Sequence, residues 1–143
     1  MTNALRLSLS DRVEEIPPAL DRVADFLDLK GASADVIFQF RLALEELLTN
    51  ASTHGRNAPG LPDPEITVDL DIRDEEAVCE VADNGVAFDP LSAPEPDIDA
   101  DLDERQIGGI GIHLVRQSMR ELTYTRASGR NLVRIVSPLR PDG

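Results

Sequence analysis

Apolar and polar residues alternate over short stretches of this chain and recur at helical spacing between them. In residues 4–9 the alternation places three leucines on one face, which predicts a strand with one buried side. Turn sequences at 73–76 and at Ser128-Gly129 separate further short segments that we also predict to be strands. The five predicted strands span residues 4–9, 65–72, 77–82, 121–127 and 131–136.

Three segments carry apolar residues at helical spacing. We predict helices over residues 16–29, from an N-cap at Ser33 or Asp35 to about His54, and from the glycines near 108–111 to about 119. Pro17 and Pro18 suit the first turn of the first helix, because an N–H donor is dispensable there, and Gly31 ends it. The element order therefore predicts an α+β fold: a two-layer α/β sandwich with a mixed, mostly antiparallel sheet and three helices on one face.

Composition narrows the classes of function. A chain of 143 residues fits one domain, which we assign to residues 1–143. An aromatic content of 3% without Trp argues against a protein that stacks nucleic-acid bases, and a net charge of −13 disfavours phosphate backbones and anionic membranes. Cys79 is the single cysteine, and no apolar run approaches the length of a membrane span. We therefore expect a cytoplasmic protein.

The segment from 84 to 106 contains three prolines and few apolar residues. It also carries seven acids and no base between Asp89 and Glu104. A connection of this length without periodicity is typical of a functional loop or a mobile lid, which we place at about 89–107. A lid this acidic would have to keep its acids in solvent when closing over a polyanion, or recruit a basic partner.

Three groups of residues could form a functional site, and each could also have a purely structural role. Glu46 and Asn50 lie four residues apart on the second helix, so their oxygens could serve Mg²⁺ or orient a nucleophile, or could form a solvated polar face. Asp83-Asn84-Gly85 ends a strand, where the carboxylate could accept a hydrogen bond from an exocyclic amine; the same sequence also suits a turn. The glycines at 108–111 precede a helix and could approach phosphate, or could form a hinge.

In this order the three motifs resemble the N, G1 and G2 boxes of the ATPase fold that gyrase, histidine kinases and mismatch-repair proteins share (the Bergerat or GHKL fold). The chain is most similar to the stand-alone bacterial anti-sigma factor serine/threonine kinases, over nearly its whole length. The motifs are LALEELLTNASTHG (42–55), VADNGVAFDP (81–90) and GGIGIHLVRQSM (108–119).

The resemblance implies ATP and Mg²⁺ as cofactors and a role for each matching position. It implies that Asn50 coordinates Mg²⁺ and that Glu46, rather than its neighbour Glu45, is the general base. It further implies that Asp83 binds the adenine amino group and that Gly85 lets the chain pass close to the base. The positions that match the phosphate-binding end of the lid are Gly109 and Gly111, with neighbouring backbone amides such as that of Gly108. Independently of the resemblance, Arg105 is the cation nearest to the acidic lid and could meet the terminal phosphate.

Two positions depart from the family pattern. The second glycine of the G1 box is replaced by Ala87, from which we expect altered hinging of the lid more than lost binding. Where larger relatives have a Thr near the final hairpin, this chain has Arg130 or Asn131, which leaves one contact beside the adenine open.

The resemblance implies a protein kinase that phosphorylates an anti-sigma-factor antagonist of the sulfate-transporter-and-antagonist (STAS) type, with a sigma factor as a further partner. The alternative is a nucleotide-gated module that binds a partner without phosphoryl transfer. Neither nucleic acid nor membrane is expected as a partner, and a homodimer is left open.

Overall fold

The structure is a computed structural model that describes residues 3–54, 63–91, 112 and 116–140, and for His54 the backbone alone. The helices and strands of this part are β1 (Ala4–Leu9), α1 (Ile16–Leu29), α2 (Ala34–His54), β2 (Ile66–Arg73), β3 (Glu76–Asp83), β4 (Glu121–Ala127) and β5 (Arg130–Pro138). Single turns of 3-10 helix occur at Val13–Glu15 and Arg116–Ser118. The five predicted strands and the first two predicted helices are thus confirmed, with ends within about two residues.

The five strands form one sheet in the order β1-β2-β3-β5-β4, and each neighbouring pair is antiparallel. Two tight turns close its hairpins. Asp74 and Glu75 join β2 to β3 with φ of 51° and 64°, and Ser128 and Gly129 join β4 to β5 with φ of 55° and 75°. Positive φ at both central residues gives a turn whose twist matches that of the flanking strands.

Local hydrogen bonds explain where α1 ends and where α2 begins. α1 ends at Leu29, and Gly31, whose φ is 90°, turns the chain, while the Ala32 N–H donates to the Leu27 carbonyl at 2.9 Å. Ser33 then caps α2, because its Oγ accepts a hydrogen bond from the Val36 N–H at 3.2 Å. Of the two predicted caps, Ser33 is therefore the one used, and Asp35 lies in the first turn.

Both helices pack on the same face of the sheet. Along α2 the predicted apolar stripe is buried, and Phe40, Ala43 and Leu44 have no exposed surface. These side chains belong to one cluster with the inward residues of the strands, among them Leu70, Cys79 and Ile135. The two-layer arrangement follows from this burial, since each layer covers the apolar face of the other.

The opposite face of the sheet carries ion pairs. Arg6 of β1 contacts Asp69 of β2 at 3.1 Å, and Arg134 of β5 lies between Glu80 and Glu121, at 3.6 and 3.2 Å. Within the described part of the chain, no helix is long and apolar enough to cross a membrane.

The third predicted helix is described only in part. Ile112 is helical and has no exposed surface, and Arg116–Ser118 forms one turn of 3-10 helix instead of continuing an α-helix. Residues 92–111, which contain most of the predicted lid, lie outside the described residues. The prediction of a lid over 89–107 therefore stays a prediction.

Two phenylalanines on α2 provide a matched test of this packing. Phe40 is fully buried, whereas Phe38, two residues earlier, is 62% exposed. We expect Phe40→Ala to lower the free energy of unfolding by about 3–5 kcal/mol, because it removes core contacts and leaves a cavity. Phe38→Ala should change it by about 0.5 kcal/mol or less. Urea unfolding measures both, and equal losses would contradict the assignment of the two faces of α2.

The single cysteine provides a second test. Burial, with smaller contributions from the charges of Asp69 and Glu80, raises the pKa of the Cys79 thiol from 9.0 to about 12. Well below pH 9.0 the thiol is protonated in both the folded and the unfolded state, so its contribution to stability is constant there. As the pH rises from 9.0 towards about 12, only the unfolded chain releases this proton, and the folded state loses stability.

We therefore expect the unfolding free energy of the wild type to fall more steeply over this pH range than that of Cys79→Ala. Urea unfolding of the two proteins at the same pH values measures the difference, since the other titrating groups are common to both. A difference that stays constant with pH would show that the folded protein does not hold Cys79 as a buried thiol.

Candidate functional site

A cavity lies between the C-terminal half of α2 and the adjoining ends of β3 and β5. Its floor is apolar, and three polar side chains border it: Asn50, Asp83 and Asn131. The described residues that line it are Leu47, Asn50, Ala51, Val81, Asp83, Phe88, Pro90, Asn131 and Val133. An apolar cleft with a few convergent polar groups is the usual form of a small-molecule site.

Helix α2 supplies one wall of this cavity. Asn50 is half-buried and faces the cavity, with Leu47 and Ala51 beside it. Glu46 lies one turn earlier on the same side of the helix and is 8% exposed. A glutamate that is only 8% exposed is not part of a solvated polar face, which disfavours that interpretation of Glu46.

Asp83 is the last residue of β3, and its carboxylate is half-buried. Its Oδ1 accepts two hydrogen bonds, from the Gly85 N–H and from Asn131 Nδ2, both at 2.9 Å. No described residue donates to Oδ2. These contacts hold Oδ1 in place, and Oδ2 can still accept a hydrogen bond at the edge of the cavity.

Gly85 is buried in the turn that follows Asp83. Its carbonyl accepts a hydrogen bond from Arg126 Nη1 at 2.8 Å. Neither Asn84 nor Gly85 has a positive φ, so the turn does not use the left-handed backbone conformation that both residue types tolerate. Asn84 instead ties the turn to the start of β2: its Oδ1 accepts from the Glu65 N–H and its Nδ2 donates to the Asp63 carbonyl, both at 2.9 Å.

Ala87 stands where the family has a second glycine. Its φ is not positive and its side chain is exposed, so alanine fits this backbone without strain. This geometry is compatible with the expectation that the replacement affects lid hinging more than binding, which stays a prediction.

Of the two residues near the final hairpin that the sequence left as alternatives, Arg130 and Asn131, it is Asn131 that borders the cavity. Arg130 points away from the cavity and pairs with Glu65 at 3.2 Å, with both side chains exposed. Asn131 is 5% exposed and borders the cavity. The alternation of β5 could have identified it, since Asn131 shares a face with the buried Val133 and Ile135.

The structure thus brings Asn50 and Asp83 to one cavity, with Gly85 in the adjoining turn and Glu46 one helical turn away. The phosphate-binding part of the predicted site cannot be placed in the same way. Arg105, Gly108, Gly109 and Gly111 lie outside the described residues.

The chemistry of these groups suits a purine nucleotide and Mg²⁺. The apolar floor suits a base, and the Asp83 carboxylate offers an acceptor to an amino group on its edge. The Asn50 side-chain oxygen is a hard ligand of the kind that Mg²⁺ takes while keeping waters and binding phosphate oxygens. Among the described residues no group of three His, Cys, Asp or Glu side chains could hold a metal, and a magnesium ion bound mainly through phosphates does not need one.

Comparison with known proteins points in the same direction. Residues 9–137 match the family model described as "Histidine kinase-like ATPase domain". The chain is 35% identical over 112 residues to the serine/threonine-protein kinase BtrW of Bordetella bronchiseptica, covering 77% of this chain and 76% of that protein. It is 26% identical over 137 residues to the serine-protein kinase RsbW of Listeria monocytogenes, covering 93% and 86%.

Proposed function

Since the chain belongs to the histidine kinase-like ATPase domain family, we propose that it is an ATP-dependent serine/threonine protein kinase acting in the cytoplasm. The observation that carries this proposal is the convergence of Asn50 and Asp83 on one cavity, in the arrangement expected of the N and G1 boxes. The two relatives named as kinases, which match most of the chain, support it.

In the proposed site the adenine ring lies on the apolar floor with its amino group at Asp83. By family resemblance, Gly108, Gly109 and Gly111 are the residues that would contact the phosphates of ATP. Arg105 is the proposed cation at the terminal phosphate. Mg²⁺ held through the Asn50 oxygen would neutralise charge that develops on the phosphates.

Glu46 is the proposed general base. The hydroxyl oxygen of the acceptor Ser or Thr forms a bond to the γ-phosphorus as the bond from that phosphorus to the bridging oxygen of ADP breaks. The hydroxyl proton passes to the Glu46 carboxylate. Placement on α2 supports this role, because a helix keeps the backbone positions of Glu46 and Asn50 at a fixed separation.

The proposed acceptor is a small anti-sigma-factor antagonist of the STAS type, and a sigma factor is the proposed partner for sequestration. Family resemblance supports both. Transfer to such an antagonist would distinguish a kinase from a module that only binds.

Replacing Asp83 tests the base site. Asp83→Asn keeps the volume of the side chain but substitutes a neutral amide for the carboxylate acceptor. We expect the affinity for ATP to fall about tenfold to a hundredfold, the value of a hydrogen bond to a charged group. Isothermal titration calorimetry measures the change. The control is Asp21→Asn, which removes an exposed carboxylate of α1 that pairs with Arg41, and its affinity should match the wild type.

Unchanged affinity for ATP in Asp83→Asn would show that Asp83 does not bind the adenine. If the wild-type protein itself showed no saturable binding of ATP, the proposed function would be wrong.

Replacing Glu46 tests transfer separately from binding. Glu46→Gln should reduce phosphoryl transfer to a cognate antagonist by at least about a hundredfold, because the amide cannot accept the proton, while ATP affinity stays close to that of the wild type. The neighbouring Glu45→Gln is a matched control, since Glu45 is exposed and points about 100° away on the helix. Transfer is measured with labelled ATP and purified antagonist.

Phosphoryl transfer at the wild-type rate by Glu46→Gln would refute the assignment of Glu46 as the general base. An ATP-dependent complex with the antagonist that yields no labelled product from the wild type would identify a nucleotide-gated binding module instead.

A further inference from the structure

Asn131 makes four hydrogen bonds in a nearly dry environment. Its Nδ2 donates to Asp83 Oδ1 at 2.9 Å and to the Val86 carbonyl at 2.8 Å. Its Oδ1 accepts from the Tyr124 hydroxyl at 2.6 Å and from the Phe88 N–H at 3.2 Å. A carboxamide has two donor hydrogens and two acceptor lone pairs, so its hydrogen-bonding capacity is filled.

These partners also fix which way the carboxamide faces. The Val86 carbonyl can only accept, and the Phe88 N–H can only donate. Rotation of the amide by 180° would oppose two acceptors at Val86 and two donors at Phe88. Asn131 is therefore held in one orientation, with its nitrogen towards Asp83.

This arrangement has a consequence for Asp83. Asn131 and the Gly85 N–H occupy Oδ1, so the carboxylate cannot rotate without losing two hydrogen bonds. The turn after Asp83 is fixed by the same side chain, at Val86 and Phe88. Arg126 provides a further hydrogen bond from β4 to the Gly85 carbonyl.

A side chain required only to fill space would not need this chemistry. An apolar residue of similar size could fill the position at the end of β5, and replacing paired polar groups by apolar ones can be nearly neutral for stability. The polar group is directed at one oxygen of one carboxylate and at the turn beside it. With its capacity filled, Asn131 has no donor or acceptor left for a ligand, so any effect on the ligand must act through Asp83.

We propose that Asn131 is a positioning residue for base selection: it holds Asp83 so that Oδ2 meets the exocyclic amine of a 6-aminopurine, and Tyr124 fixes the Asn131 carboxamide for this task. This inference rests on the proposed nucleotide site. The new element is that the preference for a purine with a 6-amino group depends on Asn131, a side chain that does not contact the purine.

The test compares two nucleotides that differ only in the amine. ATP and purine riboside triphosphate, which lacks the 6-amino group, are titrated against the wild type, Asn131→Ala, Tyr124→Phe and Ser137→Ala. Ser137 is the control because it is buried on the same face of β5, at the far end of the strand, and its hydroxyl bonds to the Pro138 carbonyl. The ratio of the two dissociation constants is the measured quantity.

We expect the wild type to prefer ATP by about tenfold or more, and Asn131→Ala to reduce that preference to about threefold or less. Tyr124→Phe, which removes one hydroxyl from a half-buried ring, should lie between the two. In the Asn131→Ala background, Tyr124→Phe should have no further effect on the ratio, since Tyr124 acts through Asn131. Ser137→Ala should keep the wild-type ratio.

A merely structural role would weaken both nucleotides equally and leave the ratio unchanged in Asn131→Ala, which would overturn the inference while the nucleotide site stands. If Asn131→Ala does not fold, an unchanged ratio in Tyr124→Phe overturns it in the same way. A wild type that binds neither nucleotide would refute the proposed function itself.

Discussion

Burial of the apolar stripe of α2 against the sheet is the constraint on which the rest of the molecule depends. Phe40, Leu44 and Leu48 are almost completely removed from water, and they lock the rotation of the helix about its axis. Once that rotation is set, helical geometry directs Glu46 and Asn50 to the side where β3 ends and β5 begins. The polar residues of the site are therefore placed by apolar residues that never touch a ligand.

The second determinant is the pairing of β3 with β5. Its register sets Asp83 opposite Asn131 at the end of both strands, close enough for their side chains to bond directly. The same pairing brings Tyr124 of β4 within reach through the β4–β5 hairpin. A carboxylate that would otherwise move freely at a strand end becomes part of a network drawn from three strands.

Much of this architecture could be predicted from the sequence because it depends on local periodicity. Alternation predicted the strands, helical spacing predicted α1 and α2, and Ser33 and Gly31 marked a cap and a stop. The ordered motifs predicted the roles of Asn50 and Asp83, and the structure brings both residues to one cavity. Helical spacing also predicted α-helix at 116–118, where the structure has a turn of 3-10 helix instead.

The part that could not be predicted involves residues distant in the sequence. The bond between Asn131 and Asp83 joins positions 48 residues apart, and no pattern within either segment indicates it. The sequence left Arg130 and Asn131 as alternatives because the direction of a side chain in a strand depends on register, which the partner strand decides. Asn84 was expected to suit a turn, and nothing in its own segment indicated that its side chain would also bind residues before β2.

The β3–β5 pairing also has a consequence for the order of folding. The hairpins β2–β3 and β4–β5 are closed by two-residue turns, so each can form with little loss of chain entropy. Joining them is a slow, non-local step, as is the pairing of β1 with β2, and it is the step that assembles Asp83 with Asn131. A ligand bound at Asp83 would thus hold together two hairpins that meet late in folding, slowing their separation more than it speeds their meeting.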